Sequence, residues 1–384
     1  MDFSLNDHQK LIRDTVRQFM ENEVRPSVKQ RDREGRFATA EIQKLAELGC
    51  CGMLMPEEWG GPGLDAISYV LMIEEVARID AAMATSLSVT NSAVQVPLLS
   101  FGSDAQKKKY LHRLATGEIL GSFCLTEPQA GSDAAGLQAR ATRSANPEPN
   151  APYILNGTKT WVSNGSVADV FIVFAKTDPD GGGKGITAFL VEPGFKGFRI
   201  GRHEEKMGQH SSPSVEIILN DCEVPAENRV GEEGQGLKIA LSALDNGRIG
   251  IAAQAVGVAQ GALEAAAAFA KQRRAFGKNI AEFQAIQWML ADMQTEIEAA
   301  RGLVHHAAWL KDSGGRMGSA ASKAKLYATE MANRVAAKAV QIHGSVGYSR
   351  ETDVERIYRD ARVMTIYEGT SEIQRVIIAR ELGL

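Results

Sequence analysis

The chain has 384 residues, of which 44% are hydrophobic and 23% charged, and its formal net charge is −4. This length and composition are typical of a globular protein with two or three domains and exclude the disordered and fibrous classes. The charge balance provides no basic field for nucleic acid or an anionic membrane, and the four cysteines lack the spacing of a disulfide framework or zinc site, so we expect a reducing compartment.

The first third of the sequence is predicted to be helical, because apolar residues recur at helical spacing between about residues 6 and 117. One break, residues 55–63, has two prolines and three glycines and predicts a surface loop. The uncharged stretch 81–103 is long enough to span a membrane, but polar residues along it favour a buried helix over membrane insertion. The first eight residues resemble no targeting segment, so we expect a cytoplasmic protein.

The middle region, about residues 121–230, is predicted to form strands. Short β-branched or alternating runs occur at residues 170–174, 186–191 and 215–219. The separators are rich in turn residues, as at 178–183, which favours hairpins in an antiparallel sheet. Strands and helices do not alternate along this region, so a Rossmann fold is not expected.

The last third returns to long, alanine-rich helical segments, at about residues 237–274, 282–312 and 319–343, with a final one from Ser371. Such lengths predict a bundle, and small side chains would let part of its surface pack against another subunit. The predicted fold class is therefore α+β, mostly α: a helical domain (1–120), a middle antiparallel β domain (121–230) and a four-helix bundle (231–384).

Several common catalytic motifs are missing from the sequence. We find no Gly-x-Gly-x-x-Gly, phosphate-binding Gly-x4-Gly-Lys-Ser/Thr, His-Glu-x-x-His or Gly-x-Ser-x-Gly pattern. The seven histidines are scattered, so we predict no metal site.

Two uncommon patterns lie in the β region. In residues 123–133 a strand runs into a proline and a glycine, which would leave backbone N–H groups and the hydroxyls of Thr126 and Ser132 free to hold a polar ring or a phosphate. An ordinary turn is the alternative. In residues 159–165, Trp161 and Ser163 lie on one face of a strand, so Trp161 is either a core residue or a platform for a flat cofactor.

Two further patterns place charge on the helical bundle. Arg248 lies near the start of a long apolar helix, where a buried charge needs a partner, and Asp245 is the nearest candidate. Residues 271–278 place cations at a helix C-terminus that we expect Gly277 to end, an arrangement that the helix dipole alone explains.

The last pattern, residues 365–375, places Glu368 in a joint between two helices. Gly369 interrupts the chain, and Ser371 with Gln374 has the spacing of a capping box for the next helix. A carboxylate held among apolar neighbours there would have a raised pKa, as a general base near neutral pH requires. A solvated carboxylate at a surface joint remains the alternative.

Together, in this order, the five patterns resemble the acyl-CoA dehydrogenase family of flavoproteins over essentially the whole chain. The most specific stretches are residues 125–132, 245–252 and 366–371. Residues 88–92 and 245–260 are most similar to short-chain and short-branched-chain members of that family.

The resemblance implies an FAD site assembled from two subunits, and hence a homotetramer. Within one subunit, the matching positions for the flavin ring are Phe123, Leu125, Thr126, Gly131, Ser132, Trp161 and Ser163. The positions that would reach the FAD of a neighbouring subunit are Arg273, Phe276, Gln284, Gln341, Gly344 and Ser345, with Thr370 and Glu372 flanking the same cofactor. Ser345 departs from the family's usual second glycine, which weakens that one contact.

The resemblance also implies the reaction. Glu368 matches the base that removes the α-proton of an acyl-CoA thioester while a hydride leaves the β-carbon for flavin N5. The family stabilises the developing enolate with the backbone N–H of this glutamate and a ribityl hydroxyl, and it passes electrons to electron-transfer flavoprotein. The matching substrate contacts are Ser132, Asp245, Arg248 and Gly369.

Two features bear on the substrate and the base. Some relatives carry their base next to the matching arginine, where this chain has Gly247 and therefore no rival base. Residues 81–103 contain no cation for a dicarboxylate, which favours a plain short or branched acyl chain. The alternatives are an oxidase or monooxygenase of the same fold and a catalytically silent acyl-CoA- or flavin-binding protein.

Overall fold

The structure, a computed structural model, describes residues 4–144 and 151–384 of the chain. Its amino-terminal region is helical, as the apolar spacing predicts, and the predicted loop at residues 55–63 contains only one 3₁₀ turn. The helical segments are α1 Asp7–Phe19, a π segment Met20–Val24, α2 Arg25–Glu34, α3 Thr39–Glu47, the 3₁₀ turn Glu57–Trp59, α4 Ala66–Ile79, α5 Ala81–Ser88, a π segment Val89–Gln95, α6 Val96–Phe101 and α7 Asp104–Ala115.

The uncharged stretch 81–103 is buried as predicted, but it is not one regular helix. A seven-residue π segment separates α5 from α6. Its polar side chains bond backbone groups of a neighbouring loop: Asn91 accepts from Met53 N at 2.9 Å and donates to Cys50 O at 2.9 Å, while Gln95 donates to Cys51 O at 2.7 Å. These hydrogen bonds offset the cost of burying the polar side chains.

The middle region forms one eight-stranded sheet, mostly antiparallel. Its strands are β1 Gly121–Cys124, β2 Arg140–Arg143, β3 Tyr153–Ser163, β4 Val170–Lys176, β5 Ile186–Val191, β6 Phe198–His203, β7 Ser214–Val224 and β8 Arg229–Val230. The strand order is β6-β7-β3-β2-β4-β5-β8, with β1 also paired to β4. The predicted antiparallel sheet is confirmed. Within it, β4 pairs in parallel with β1 and, at one position, with β2.

Both faces of the central strand β4 are buried, in two different cores. Val170, Ile172 and Phe174 pack with helices α6 and α7 and the start of the next long helix. Phe171 and Val173 point to the opposite face and pack among the other strands. Because side chains alternate along a strand, an unbroken apolar run contributes to both cores.

The last third consists mainly of long helices, as predicted. They are α8 Gly236–Gln272, α9 Gln284–Asp312, α10 Gly318–His343, α11 Asp353–Arg362 and α12 Ser371–Glu381, with a short hairpin β9 Arg274–Ala275 and β10 Lys278–Asn279 after α8, and 3₁₀ turns Gly344–Tyr348 and Val363–Thr365. The fold class, mostly helical with a middle sheet and a carboxy-terminal set of helices, is confirmed.

Helix α8 lies at the centre of the helical part and contacts α4 almost backbone to backbone. A β-carbon at Gly257 would lie 2.1 Å from Glu74 O, and one at Gly261 would lie 2.3 Å from Arg78 O. Among the described residues, α8 alone has the length and apolarity of a membrane span, yet 83% of that stretch is buried inside the protein. Such burial is typical of a core helix.

A buried ion pair fixes the end of the sheet where β1 leaves it. Lys159 Nζ, fully buried on β3, lies 2.7 Å from Glu127 Oε1 and 3.2 Å from Leu125 O. Glu127 also accepts hydrogen bonds from Gln138 N at 2.6 Å and Ala139 N at 3.0 Å. Burial alone would raise the pKa of Glu127, but the charge of Lys159 and the three bonds to the carboxylate hold it below its usual value. Together with the bond to Leu125 O, these contacts hold the loop after β1 against β3.

We expect Lys159→Met to lower the free energy of unfolding by about 3–5 kcal/mol, because it leaves a buried carboxylate without its cation. The matched control is Lys196→Met, which breaks the exposed ion pair with Glu223 and should cost less than about 1 kcal/mol. Urea unfolding followed by circular dichroism measures both. Equal midpoints for the two variants would contradict the role given to the buried pair.

Candidate active site

Glu368 lies in a short joint between the turn Val363–Thr365 and α12, as predicted, and its backbone has a left-handed conformation. Its φ is 54° and that of the following Gly369 is 90°. Glycine accepts such a φ without strain, whereas for glutamate it is uncommon and needs support from the surroundings. The joint therefore holds the glutamate in a conformation that a free chain would rarely adopt.

The predicted capping box at Ser371 was wrong by one residue. The N-cap of α12 is Thr370, whose hydroxyl accepts from Ile373 N at 3.4 Å, and Ser371 begins the helix. Gln374 turns back on the joint instead and donates to Glu368 O at 3.3 Å and Gly369 O at 2.8 Å. This side chain thus ties α12 to both carbonyl groups of the left-handed pair.

The Glu368 carboxyl group faces α8 at Gly247. A β-carbon at that glycine would lie 2.6 Å from Glu368 Oε2, so a larger residue there would displace the carboxylate from this position. Oε2 is buried and has no hydrogen-bond partner among the described residues. Burial raises the pKa of Glu368 to about 7, while the cations Arg248 and Lys325 oppose the rise.

Arg248 is buried on α8 and paired with Asp245, as the sequence predicts. Its Nη1 lies 2.5 Å from Asp245 Oδ1, and its Nε has no partner among the described residues. Asp245 also borders a cavity of about 790 Å³ beside the first turns of α8. This cavity is lined by Gly181, Gly183, Lys184, Gly234, Leu237, Lys238, Leu241, Ser242, Asp245, Asn246 and Met317.

Trp161 is not a core residue, and its role as a platform for a flat cofactor stays a prediction. Its side chain is 58% exposed. The residue has a backbone φ of 57° and lies in a bulge, where the pairing of β3 with β7 shifts register. Next to it, Thr160 N donates to Thr126 O at 2.9 Å, which joins the bulge to the loop after β1. In that loop a β-carbon at Gly131 would meet no atom within 4 Å. An open loop beside an exposed indole suits a flat ring system such as a flavin.

The other predicted flavin contacts are distributed around this loop. Ser132 is exposed, and Ser163 O accepts a hydrogen bond from Ser122 at 2.6 Å. The Phe123 ring packs on Phe174, with centroids 5.0 Å apart, and the Leu125 side chain is buried in the core. These last two residues can therefore meet a bound cofactor mainly through their backbone.

The residues predicted to reach a neighbouring subunit lie on the surface of the carboxy-terminal helices. Arg273, Phe276, Gln284, Gln341, Gly344 and Ser345 are all exposed, as is Glu372 on α12. A stacked pair, Phe269 on α8 and His343 on α10, with ring centroids 4.3 Å apart, brings the ends of the two helices together. The prediction that Gly277 ends α8 was wrong, because the helix ends at Gln272 and Gly277 lies in the turn of the β9–β10 hairpin.

A buried hydrogen-bond network joins the sheet to the joint that holds Glu368. Tyr367 donates to Gln254 Oε1 at 2.9 Å, and Gln254 donates to Thr85 Oγ1 at 2.8 Å. Thr85 in turn donates to Gln209 Oε1 at 2.7 Å, in the segment before β7. Three regions of the chain therefore meet one residue from Glu368.

The sequence reasoning missed this network and also missed Lys325. The missed lysine is fully buried on α10, with its Nζ 2.7 Å from Gly369 O. The available signal was its position among Ala321, Ala324 and Ala328, on the face of α10 that packs into the core. A lysine on such a face needs a polar partner. Its partner, Gly369, is far from it along the chain, so the sequence alone does not reveal the contact.

Comparison with known proteins agrees with this geometry. Family models match three consecutive parts of the chain: the acyl-CoA dehydrogenase N-terminal domain at residues 6–118, the middle domain at 122–222 and the C-terminal domain at 234–383. The short-chain-specific acyl-CoA dehydrogenase of Clostridium acetobutylicum is 43% identical over 382 residues, covering 100% of both chains.

Two other proteins, one of them with a solved structure, are similar over nearly the whole chain. The CarC subunit of the caffeyl-CoA reductase–Etf complex of Acetobacterium woodii is 44% identical and covers 97% of this chain and 98% of its own. The butyryl-CoA dehydrogenase structure from Megasphaera elsdenii superposes with a TM-score of 0.97 at 45% identity, over 100% of both chains. The chain belongs to the acyl-CoA dehydrogenase family of FAD-dependent oxidoreductases, as its motifs predict.

Proposed function

We propose that the protein oxidises short or short-branched acyl-CoA thioesters to trans-2-enoyl-CoA, with Glu368 as the base. The observation that carries this proposal is the Glu368 carboxylate, whose Oε2 is buried without a partner and whose pKa is raised to about 7. This oxygen has no hydrogen bond that must break before it can accept a proton, and the pKa of the carboxyl group is near neutral pH. Both properties suit proton abstraction from a weak carbon acid.

In this reaction the α-carbon–hydrogen bond breaks and its proton moves to Glu368. Bound FAD supplies the acceptor for the hydride that leaves the β-carbon. Because the protonated carboxyl group is neutral, burial favours the state that follows proton transfer. Arg248 and Lys325 favour the ionised state that precedes it, so the two effects bring the pKa of the base near neutrality.

The same joint offers a hydrogen-bond donor for the developing enolate. The backbone N–H of Glu368 makes no hydrogen bond within the described part of the chain. The bonds from Gln374 to the carbonyl groups of Glu368 and Gly369 fix the peptide orientation on the far side of the same residue. A donor fixed before the reaction stabilises negative charge without reorganisation during it.

The FAD ring would be held by the loop after β1 and the bulge of β3. Thr126, Gly131, Ser132, Trp161 and Ser163 supply hydroxyl, backbone and indole surfaces there, with the backbone at Phe123 and Leu125. The substrate contacts are assigned to Ser132, Asp245, Arg248 and Gly369, and of these Asp245 lines the cavity beside α8. The short-chain specificity named for relatives and the uncharged stretch 81–103 support a small, uncharged acyl group.

We further propose that electrons pass to electron-transfer flavoprotein, that the protein is a homotetramer and that it is cytoplasmic. The CarC relative, named as part of a complex with Etf, supports the first proposal. The exposed aromatic residues Phe276, Trp288 and Tyr348 on the carboxy-terminal part support the second, because aromatic side chains are enriched at subunit interfaces. Bacterial relatives support the third.

We expect anaerobic mixing with one or more short acyl-CoA thioesters, tested from propionyl to octanoyl with isobutyryl and 2-methylbutyryl, to bleach the flavin absorbance. Glu368→Gln should slow bleaching by at least about 10²-fold, because the amide cannot accept the proton. A yellow protein that bleaches with none of these thioesters would overturn the proposal in favour of an oxygenase or a silent binding protein.

The pH dependence has a defined sign. Since the pKa of Glu368 is raised to about 7 and only the carboxylate accepts a proton, the bleaching rate should rise with pH and reach half its maximum near pH 7. Stopped-flow measurements between pH 5 and 9 test this. A rate already at its maximum at pH 5 would show that an ordinary, solvated carboxylate or another group is the base.

Gly247→Ala should reduce the bleaching rate about 10–100-fold, because the added methyl group occupies the space of Glu368 Oε2 and displaces the base. The matched control is Gly302→Ala on α9, where a β-carbon meets nothing within 4 Å. The control should keep the full rate. Unchanged kinetics in Gly247→Ala would mean that the carboxylate works from another position.

Analytical ultracentrifugation should give about four times the mass of one chain. We expect Phe276→Asp to weaken assembly and to lower the flavin content of the purified protein, because the side chain is 95% exposed and lies in the region assigned to the neighbouring FAD. A monomeric wild-type protein with full flavin content would contradict the shared site.

A further inference from the structure

One buried cation beside the catalytic joint has no carboxylate partner. Lys325 is fully buried on α10, and its ammonium makes no ion pair within 4.0 Å among the described residues. Its bond runs instead from Nζ to the backbone oxygen of Gly369, at 2.7 Å. A buried lysine is rare and costly unless its charge serves a specific neighbour.

The Gly369 carbonyl is the point on which the joint is held. It accepts from Lys325 Nζ at 2.7 Å and from Gln374 Nε2 at 2.8 Å, so donors from α10 and α12 converge on one oxygen. This carbonyl follows directly after Glu368, whose φ of 54° is uncommon for a residue with a side chain. Two external donors therefore restrain the backbone turn that aims the glutamate.

Titratable groups on several elements surround Glu368 and Lys325. Arg248 on α8 and Lys325 on α10 act on the Glu368 carboxylate, and the hydroxyls of Tyr69 on α4 and Tyr367 in the joint interact with it. Glu330 on α10 and the exposed Glu372 on α12 act on Lys325. Arg248 acts on Glu368 too, but it is also paired with Asp245, at 2.5 Å. Lys325 differs from it in having no carboxylate partner of its own among the described residues.

We propose that Lys325 is a positioning residue for the base: its ammonium holds the Gly369 carbonyl, fixes the turn at Glu368 and stabilises the ionised carboxylate. This inference rests on the proposed function, because it assumes that Glu368 takes the α-proton. The lysine touches neither reacting carbon nor cofactor in this account. It acts through the backbone and through its charge.

The charge state of Lys325 agrees with this role. Burial lowers the pKa of its ammonium to about 8, and the nearby Glu368 carboxylate is the main influence that opposes this fall. The lysine is therefore mostly protonated near pH 7, where the carboxylate becomes ionised. The two groups stabilise each other's charged forms over the pH range in which the reaction would run.

The test compares Lys325→Met and Lys325→Gln with the wild-type holoenzyme. The matched control is Lys323→Met, two residues away on the same helix, whose lysine is exposed and bonded to Glu381. Each protein is measured for flavin content, thermal midpoint and the pH dependence of flavin bleaching by the best short acyl-CoA. Glutamine can still donate a hydrogen bond but carries no charge, so it also serves if the methionine variant does not fold.

We expect both Lys325 variants to shift the acidic limb of the rate upwards by about one pH unit, and to lower the rate at pH 6 by about tenfold, with flavin content unchanged. A folded variant with the wild-type limb would overturn the inference, since a merely structural lysine would change stability but not the midpoint of the limb. If Glu368→Gln retains the wild-type rate, the proposed function itself fails. An inactive Glu368→Gln protein beside unshifted Lys325 variants refutes the lysine's role alone.

Discussion

The proposed chemistry depends on one feature that costs stability, the carboxyl group of Glu368 buried beside a left-handed turn. Burial raises the pKa of Glu368 to about 7, and no residue in the described structure satisfies its Oε2. Both the backbone strain and the unpaired oxygen cost stability, so contacts with surrounding residues must hold Glu368 in this conformation. Gly247 provides the space, while Lys325 and Gln374 hold the following carbonyl. A site that is restrained and unsatisfied is ready to take up a proton.

Buried hydrogen bonds join the three regions of the chain next to Glu368. Gln254 on α8 bonds Tyr367 beside the base and Thr85 on α5, and Thr85 reaches the sheet through Gln209. On the sheet side, Asn164 donates to Ser86 O at 3.0 Å, one residue from Thr85. The exposed Trp161 lies three residues before Asn164. The proposed flavin platform and the base are thus connected through buried, directional bonds rather than through apolar packing alone.

Much of the layout could be predicted from the sequence, because hydrophobic period and turn residues are local signals. The helical thirds, the central sheet and the position of Glu368 in a joint follow from such signals or from the family resemblance. Contacts between distant residues leave no comparable trace: the parallel pairing of β1 with β4 and the bond from Lys325 to Gly369 are set by tertiary packing. Two local conformations were also not predicted from the sequence: the π segment at Val89–Gln95 and the hairpin that contains Gly277.

The claim that Glu368 is the α-proton base is tested most directly by separating proton removal from oxidation. A 3-thia-acyl-CoA has sulfur at the β-position and so cannot give up a β-hydride, yet it retains acidic α-protons. Nuclear magnetic resonance in deuterated water would follow exchange of these protons on the holoenzyme. We predict exchange that accelerates through about pH 7 and is lost in Glu368→Gln. Exchange at the wild-type rate in that variant would contradict it.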